Sequence, residues 1–167
     1  MCGIVFLAGP QASSRISTCV ERLRHRGPDD VSVWSERQFA IGFTRLEING
    51  VGLLGRQPYR HGDSIGAING EIYNYRALAD TNNLAPVSCD AHVVLPLLER
   101  LGVRVIDELD GFYSGIVLRP SVGDLLCLRD HIGKKPLFVG RSHREVFVTS
   151  ELKALEEIEW FEPLPCG

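Results

Sequence analysis

Apolar positions along this chain fall into short runs separated by turn residues. Residues 4–7, Ile-Val-Phe-Leu, are continuously apolar between Gly3 and Gly9-Pro10, the pattern of a strand buried on both faces. Ile16, Val20 and Leu23 then recur at i, i+4 and i+7. That period predicts a helix, with Ser13 or Ser14 as its N-cap and Arg22 and Arg24 in its last turn. Strand character returns at 31–34, 39–46 and 64–68, with Gly, Asp and Asn between, a spacing suited to antiparallel strands. Asn69-Gly70 predicts a turn, and 71–79 a short helix. A better helix is predicted over 91–101, where Val94, Leu97, Leu98 and Leu101 share a stripe and Asp90 is placed to cap it. Pro96 would be its sixth residue, so a kink or a later start is expected. Strands are predicted again at 112–118, 125–128, 137–139 and 146–149, and 150–155 reads as a capped helical turn. This order is an α+β layout with antiparallel sheets, without the strict βαβ alternation of a doubly wound fold.

Composition narrows the class. The chain has 167 residues, 44 % hydrophobic and 23 % charged, the proportions of a folded domain with one core. Repeats and Ser/Gly linkers are missing, so a single domain over 1–167 is expected. Lys+Arg 18 against Asp+Glu 21 leaves a formal charge of −3, and the interspersed signs give no footprint for nucleic acid or an anionic membrane. No apolar run approaches a membrane span, and no basic segment precedes the apolar start as a secretory signal requires. The expected location is the cytoplasm. Five scattered cysteines (Cys2, Cys19, Cys89, Cys127, Cys166) without a CxxC pair read as free thiols there.

Several motifs fail on context. GVGLLG (50–55) matches GxGxxG, but Arg56-Gln57-Pro58 follows where a helix should open. GDSIG (62–66) matches GxSxG, but a strand follows it in place of the helix of a nucleophile elbow. Cys89 and His92 make half a metal site with no second half, so no metal is expected. Cys2 differs in kind. Removal of Met1 would expose a cysteine with a free α-amine, a thiol of ordinary pKa about 8.5 beside an amine of about 7.7–8.0. One residue then supplies nucleophile and general base together.

MCGI at the start, RHRGPDD (24–30), RLEI (45–48), QPY (57–59), NGEIYNYRAL (69–78), LDGFYSG (109–115), LRDHIGKKPLF (128–138) and SELKAL (150–155) follow one another along the chain. In this order they resemble class II glutamine amidotransferase domains, in particular the N-terminal glutaminase domain of asparagine synthetases, over essentially the whole chain. The resemblance implies the N-terminal-nucleophile hydrolase fold, a four-layer αββα sandwich of two antiparallel sheets between helices. It implies hydrolysis of L-glutamine to glutamate and ammonia, without cofactor or metal. Cys2 matches the nucleophile, and Asn69 with Gly70 the oxyanion hole. Arg45 matches the arginine that holds the substrate α-carboxylate, Asp90 the acid that receives the α-ammonium, and Glu71 would support that end of the pocket. RHRGPDD matches a loop that covers bound glutamine, with Gly27 suited to a hinge. RDHIGKKPL reads as structural, with Lys134 and Lys135 solvated.

The chain departs from that family at three places. His92 stands where an acid is usual, Phe43-Thr44 precedes Arg45 where a His and an acid are usual, and FYSGIVLRP (112–120) replaces a more aromatic strand. The Ser-Gly-Gly-x-Asp-Ser phosphate motif of the ATP-using synthetase domain is absent. The expected ammonia acceptor is therefore an ATP-dependent synthetase domain or subunit outside this chain. The alternative is a non-catalytic glutamine-binding regulatory module on the same fold.

Overall fold

A computed structural model describes residues 1–166; Gly167, the last residue of the expected domain, lies outside the described residues. The strands are β1 (Gly3–Ala8), β2 (Asp30–Glu36), β3 (Phe39–Arg45), β4 (Tyr59–His61), β5 (Ser64–Ile72), β6 (Gly111–Arg119), β7 (Asp124–Arg129), β8 (Phe138–Ser142), β9 (Glu145–Thr149) and β10 (Trp160–Pro163). The α-helices are α1 (Ala12–Glu21), α2 (Tyr75–Thr81), α3 (Val94–Leu101) and the single turn α4 (Val105–Glu108). Six strands form one sheet in the order β10-β8-β9-β1-β3-β2, and four form another in the order β4-β5-β6-β7. All named strand pairs are antiparallel.

Side-chain alternation sorts the core into three apolar layers. From β1, Ile4 and Phe6 enter the space between the sheets, meeting Ile41 and Phe43 of β3 and Ile65, Ala67, Ile116 and Leu118 of the small sheet. Val5 and Leu7 point the other way, onto Ala12, Ile16, Cys19 and Val20 of α1. A strand covered on both faces needs an unbroken apolar run, which is why 4–7 reads as it does. The outer face of the small sheet carries Ile68, Ile72, Val117 and Leu128 against Leu78, Val94, Leu95 and Leu97 of α2 and α3. Each fully buried Val, Leu, Ile or Phe among them contributes about 1.5–3 kcal/mol. The result is helix, sheet, sheet, helix: the expected α+β sandwich.

Local expectations were revised where long-range pairing won. Asn69-Gly70 is no turn: β5 runs straight through it, paired with β6 from Ile65↔Leu118 to Ile72↔Gly111. Glu71 and Ile72 are accordingly strand, and the helix expected at 71–79 begins at Tyr75. The turn lies at Tyr73-Asn74, where the Asn74 amide donates to the Glu108 carbonyl (2.8 Å) and its oxygen accepts from the Asp110 N–H (3.1 Å). Gln11, not Ser13 or Ser14, occupies the N-cap of α1, and the helix ends at Glu21, before Arg22 and Arg24. Asp90 caps nothing. Residues Asp90–Val93 form a 3-10 turn, and α3 starts at Val94, so Pro96 sits in its first turn where a missing N–H costs no bond. The polar three-residue β4 and the exposed edge strand β10 carry too little apolar pattern to be legible in the sequence.

Candidate active site

Cys2 stands one residue ahead of β1. Because Gly3 pairs with Thr44, the antiparallel register places Cys2 beside Arg45 and Leu46. Its Sγ accepts from the Leu46 N–H at 3.5 Å and lies 3.8 Å from the Leu46 carbonyl. Cys2 shares parity with Ile4 and Phe6 and packs against the inter-sheet core, so the thiol faces the small sheet. Burial pushes the Cys2 thiol up; the Leu46 N–H, the terminal amine, Arg45 and Lys135 pull it down, but by less.

The backbone of Cys2 is held separately. Arg26, 6 % exposed, donates through Nε to the Cys2 carbonyl at 2.8 Å and through a terminal nitrogen to Glu151 at 2.6 Å. Burial alone would raise the Glu151 carboxyl, but hydrogen bonds from Arg26, His25 and Lys153 together outweigh it and hold it at about 2. Thr149 and Ser150 complete the anchor: Ser150 Oγ accepts from the Ile4 N–H (3.0 Å), and Thr149 Oγ1 donates to the Ile4 carbonyl (3.2 Å). Sequence reasoning placed none of Arg26, Thr149, Ser150 and Glu151 in the site. The available signal was a buried-type arginine in RHRGPDD and a carboxylate in SELKAL, both in motifs already singled out.

Across the gap, Asn69 is buried on the inter-sheet face of β5, sharing parity with Ile65 and Ala67, and Gly70 follows it at the exposed end of the strand. A methyl group on Gly70 would overlap the Phe112 carbonyl oxygen and lie 2.6 Å from Tyr113 Cα, so only glycine lets β6 approach there. Gln57 locks this stretch of β5: its amide donates to the Ile68 carbonyl (3.0 Å) and accepts from the Ile68 N–H (2.6 Å), copying a strand partner one residue before Asn69.

Arg45 is 4 % exposed. Its guanidinium donates to the carbonyls of Asn49, Gly50 and Gly52 and to Glu47 (3.1 Å), so it is the post around which the loop 47–52 is wrapped. That loop reaches Cys89, whose Cβ lies near Gly50 and whose thiol donates to Asp90 at 3.3 Å. Asp90 in turn accepts from the Ile72 N–H at 2.9 Å, two residues beyond Gly70. Asp90 raises the Cys89 thiol further above the level set by burial, to about 12. Cys2, Arg45, Asn69, Gly70 and Asp90 are thus gathered at one end of the sandwich, and Glu71 stands exposed beside them on β5.

In RHRGPDD, Gly27 lies flat against the Thr44-Arg45 backbone, where a Cβ would collide with Arg45, and the Asp29 N–H donates to the Arg45 carbonyl at 3.0 Å. Close approach is what the glycine supplies in this conformation. In RDHIGKKPL, Asp130 is structural as expected, accepting from the N–H groups of Tyr113, Ile132 and Gly133. Lys134 is exposed as expected, although its ammonium and that of Lys135 both lie over the Phe112 ring, at 4.1 and 4.6 Å from its centre. Lys135 is half-buried, and burial, Lys134 and Arg26 lower its pKa. Among the described residues no group of His, Cys, Asp and Glu is arranged to hold a metal ion, and no helix is long and apolar enough to cross a membrane. A cavity of about 570 Å³, lined by His61, Leu98, Glu99, Val117 and Leu126 among others, lies at the other end of β5 and contains none of these residues.

The family model described as "Glutamine amidotransferase domain" matches residues 1–163. A probable glutamine-hydrolysing asparagine synthetase of Acanthamoeba polyphaga mimivirus is 33 % identical over 95 % of this chain and 31 % of its own length. The nodule glutamine-hydrolysing asparagine synthetase of Pisum sativum is 34 % identical over 100 % of this chain and 30 % of its own. The chain therefore spans under a third of the length of these relatives. Among solved structures, glutamine phosphoribosylpyrophosphate amidotransferase from B. subtilis, complexed with ADP and GMP, superposes with a TM-score of 0.85 at 19 % identity, covering 99 % of this chain and 46 % of that one. At that identity the likeness concerns the fold.

Proposed function

Because this chain belongs to the glutamine amidotransferase domain family, we propose that it hydrolyses L-glutamine to glutamate and ammonia through a thioester on Cys2. The observation that carries the reading is the convergence at one end of the sandwich of the thiol, the buried Asn69 amide with Gly70, and the Arg45 and Asp90 charges. Once Met1 is removed, the Cys2 amine takes the thiol proton and Sγ attacks the side-chain amide carbon. Asn69 and Gly70 stabilise the charge that develops on the carbonyl oxygen. The carbon–nitrogen bond breaks as the amine returns the proton, releasing ammonia. Water then cleaves the thioester and restores Cys2.

Recognition of the amino-acid end falls to Arg45 and Asp90, with Glu71 at the exposed edge. Both terminal nitrogens of Arg45 already hold loop 47–52. An α-carboxylate arriving there exchanges with those carbonyls, so substrate binding and loop position are coupled. The ammonia acceptor is an ATP-dependent synthetase domain or subunit, the remainder of the length that the relatives possess.

The test combines intact mass, to show Cys2 at the terminus, with ammonia release from L-glutamine and covalent capture by a glutamine-mimicking diazo-ketone. Retained Met1 with no adduct and no ammonia refutes the reading. Glutamine binding without turnover, in protein with a free Cys2 terminus, replaces it with a regulatory glutamine-binding module.

A further inference from the structure

Next to Asn69 on the inter-sheet face stands a side chain to which no role has been given. Ser114 of β6 is the register partner of Asn69, so their side chains project side by side, with Cβ atoms roughly 5 Å apart. Ser114 is fully buried and Asn69 nearly so, yet among the described residues Ser114 Oγ and Asn69 Nδ2 have no hydrogen-bond partner, neither each other nor a third group. Arg129, the partner of Ser114 on the other side, does not supply one. Its guanidinium is committed to the carbonyls of Gly133, Lys135 and Leu164. Of the other unpartnered buried atoms, Ser142 Oγ and Glu145 Oε1 are also register partners, but at the β8–β9 hairpin beside Ala8, the end of β1 away from Cys2, and they set a hydroxyl against a carboxylate already paired with Arg15; Arg26 Nη2 stands alone. Buried polar groups are rarely left unpaired in a native protein, and two neighbouring donors that do not bond one another suit a single acceptor oxygen between them.

We propose that Ser114 Oγ is a third donor to the side-chain carbonyl oxygen of glutamine, acting with Asn69 and Gly70; the inference rests on the glutaminase reading. As Cys2 Sγ bonds to the amide carbon, the carbonyl π pair moves onto the oxygen, which accepts from Asn69 Nδ2–H and Ser114 Oγ–H. When the intermediate collapses, the pair returns, the carbon–nitrogen bond breaks and ammonia departs with the proton from the Cys2 amine. Ser114 keeps its own proton throughout. Solvent does not reach either donor, so each acts in a low-dielectric site where a hydrogen bond to developing charge has most effect. Ser114 lies within FYSGIVLRP, the strand in which this chain departs from the more aromatic pattern of the family it resembles.

The experiment uses the full chain with Cys2 at its terminus. Ser114→Ala is expected to lower kcat by roughly 10- to 100-fold, somewhat less than loss of a main oxyanion donor, with KM changed by less than about threefold because the interaction strengthens in the transition state. Its melting temperature is expected to equal or exceed that of the wild type, since the substitution removes an unpaired buried hydroxyl. Ser114→Thr, which restores the hydroxyl, is expected to recover most of the lost rate. An Ala variant with wild-type kcat overturns the inference. So does one that loses stability while keeping its rate, which would make the hydroxyl structural, and so does a folded Thr variant no faster than Ala. Wild-type protein without turnover or diazo-ketone adduct refutes the glutaminase reading itself, a result distinct from an active wild type with an indifferent Ser114.

Discussion

Arg26→Met is the perturbation that most directly links this fold to its chemistry. Methionine keeps an apolar stem of similar length but removes the donors to the Cys2 carbonyl and to Glu151. Breaking a buried pair by deleting one partner costs about 3–5 kcal/mol when the other charge is left alone. Here Glu151 is 29 % exposed and retains His25 and Lys153, so about 2 kcal/mol is expected from that side. The orphaned Cys2 carbonyl adds about 1 kcal/mol. A loss of about 3 kcal/mol in a domain of this size lowers the melting temperature by roughly 6–12 °C. The pH dependence follows from Glu151, whose folded-state pKa of about 2 is depressed. Its contribution is fully present above the ordinary carboxylate range and is lost as pH falls from about 4.5 towards 2. The variant's carboxyl moves back towards the ordinary value, so the gap in stability between wild type and variant narrows through that window. Urea unfolding at pH 7, 4.5 and 2.5 measures it. A difference below about 1 kcal/mol at pH 7, or one that stays constant down to pH 2.5, would falsify the account of Arg26 as the brace between Cys2 and Glu151. Ammonia release should fall in step, since the carbonyl that positions the nucleophile is then free to move.

Three further outcomes are expected. Gly70→Ala drives a methyl group into the β6 backbone at Phe112-Tyr113; it should cost about 1–3 kcal/mol and lower kcat by about 10² or more, and wild-type turnover in this variant would show that Gly70 is not at the reacting carbonyl. Arg45→Met releases loop 47–52 and removes the carboxylate partner, so KM for glutamine should rise by about tenfold or more; faster proteolysis within 47–55 accompanies it, and unchanged KM would place the α-carboxylate elsewhere. In the chain that keeps Met1, alkylation of Cys2 by iodoacetamide without glutamine should be slow at pH 7 and climb through pH 9 and above, because burial raises the thiol; an inflection below about 7 would contradict that sign.

The sequence by itself determined the layered class of the fold. The apolar run 4–7, short, β-branched at Ile4 and Val5 and bounded by Gly3 and Gly9-Pro10, reads as a strand buried on both sides, and the resemblance carried by the ordered motifs implied a site of Cys2, Arg45, Asn69, Gly70 and Asp90 before any contact was known. The strand pattern and Cys2 are legible because they are local: period, glycine and proline chemistry, and a cysteine at the second position; the other site residues were legible only through the resemblance. Tertiary structure alone decided that Asn69-Gly70 is strand, since eight rungs of pairing with β6 outweigh a two-residue turn preference. It also set Gly27 in close contact with the Arg45 backbone, and tied Glu151 through Arg26 to the Cys2 carbonyl over more than a hundred residues of chain. Ser114 is the sharpest instance. In sequence it is one serine in a strand; only the β5–β6 register makes it the unpaired neighbour of Asn69. Hydrogen-bond satisfaction of a buried side chain depends on what the other strand brings beside it, and that is a property of the fold.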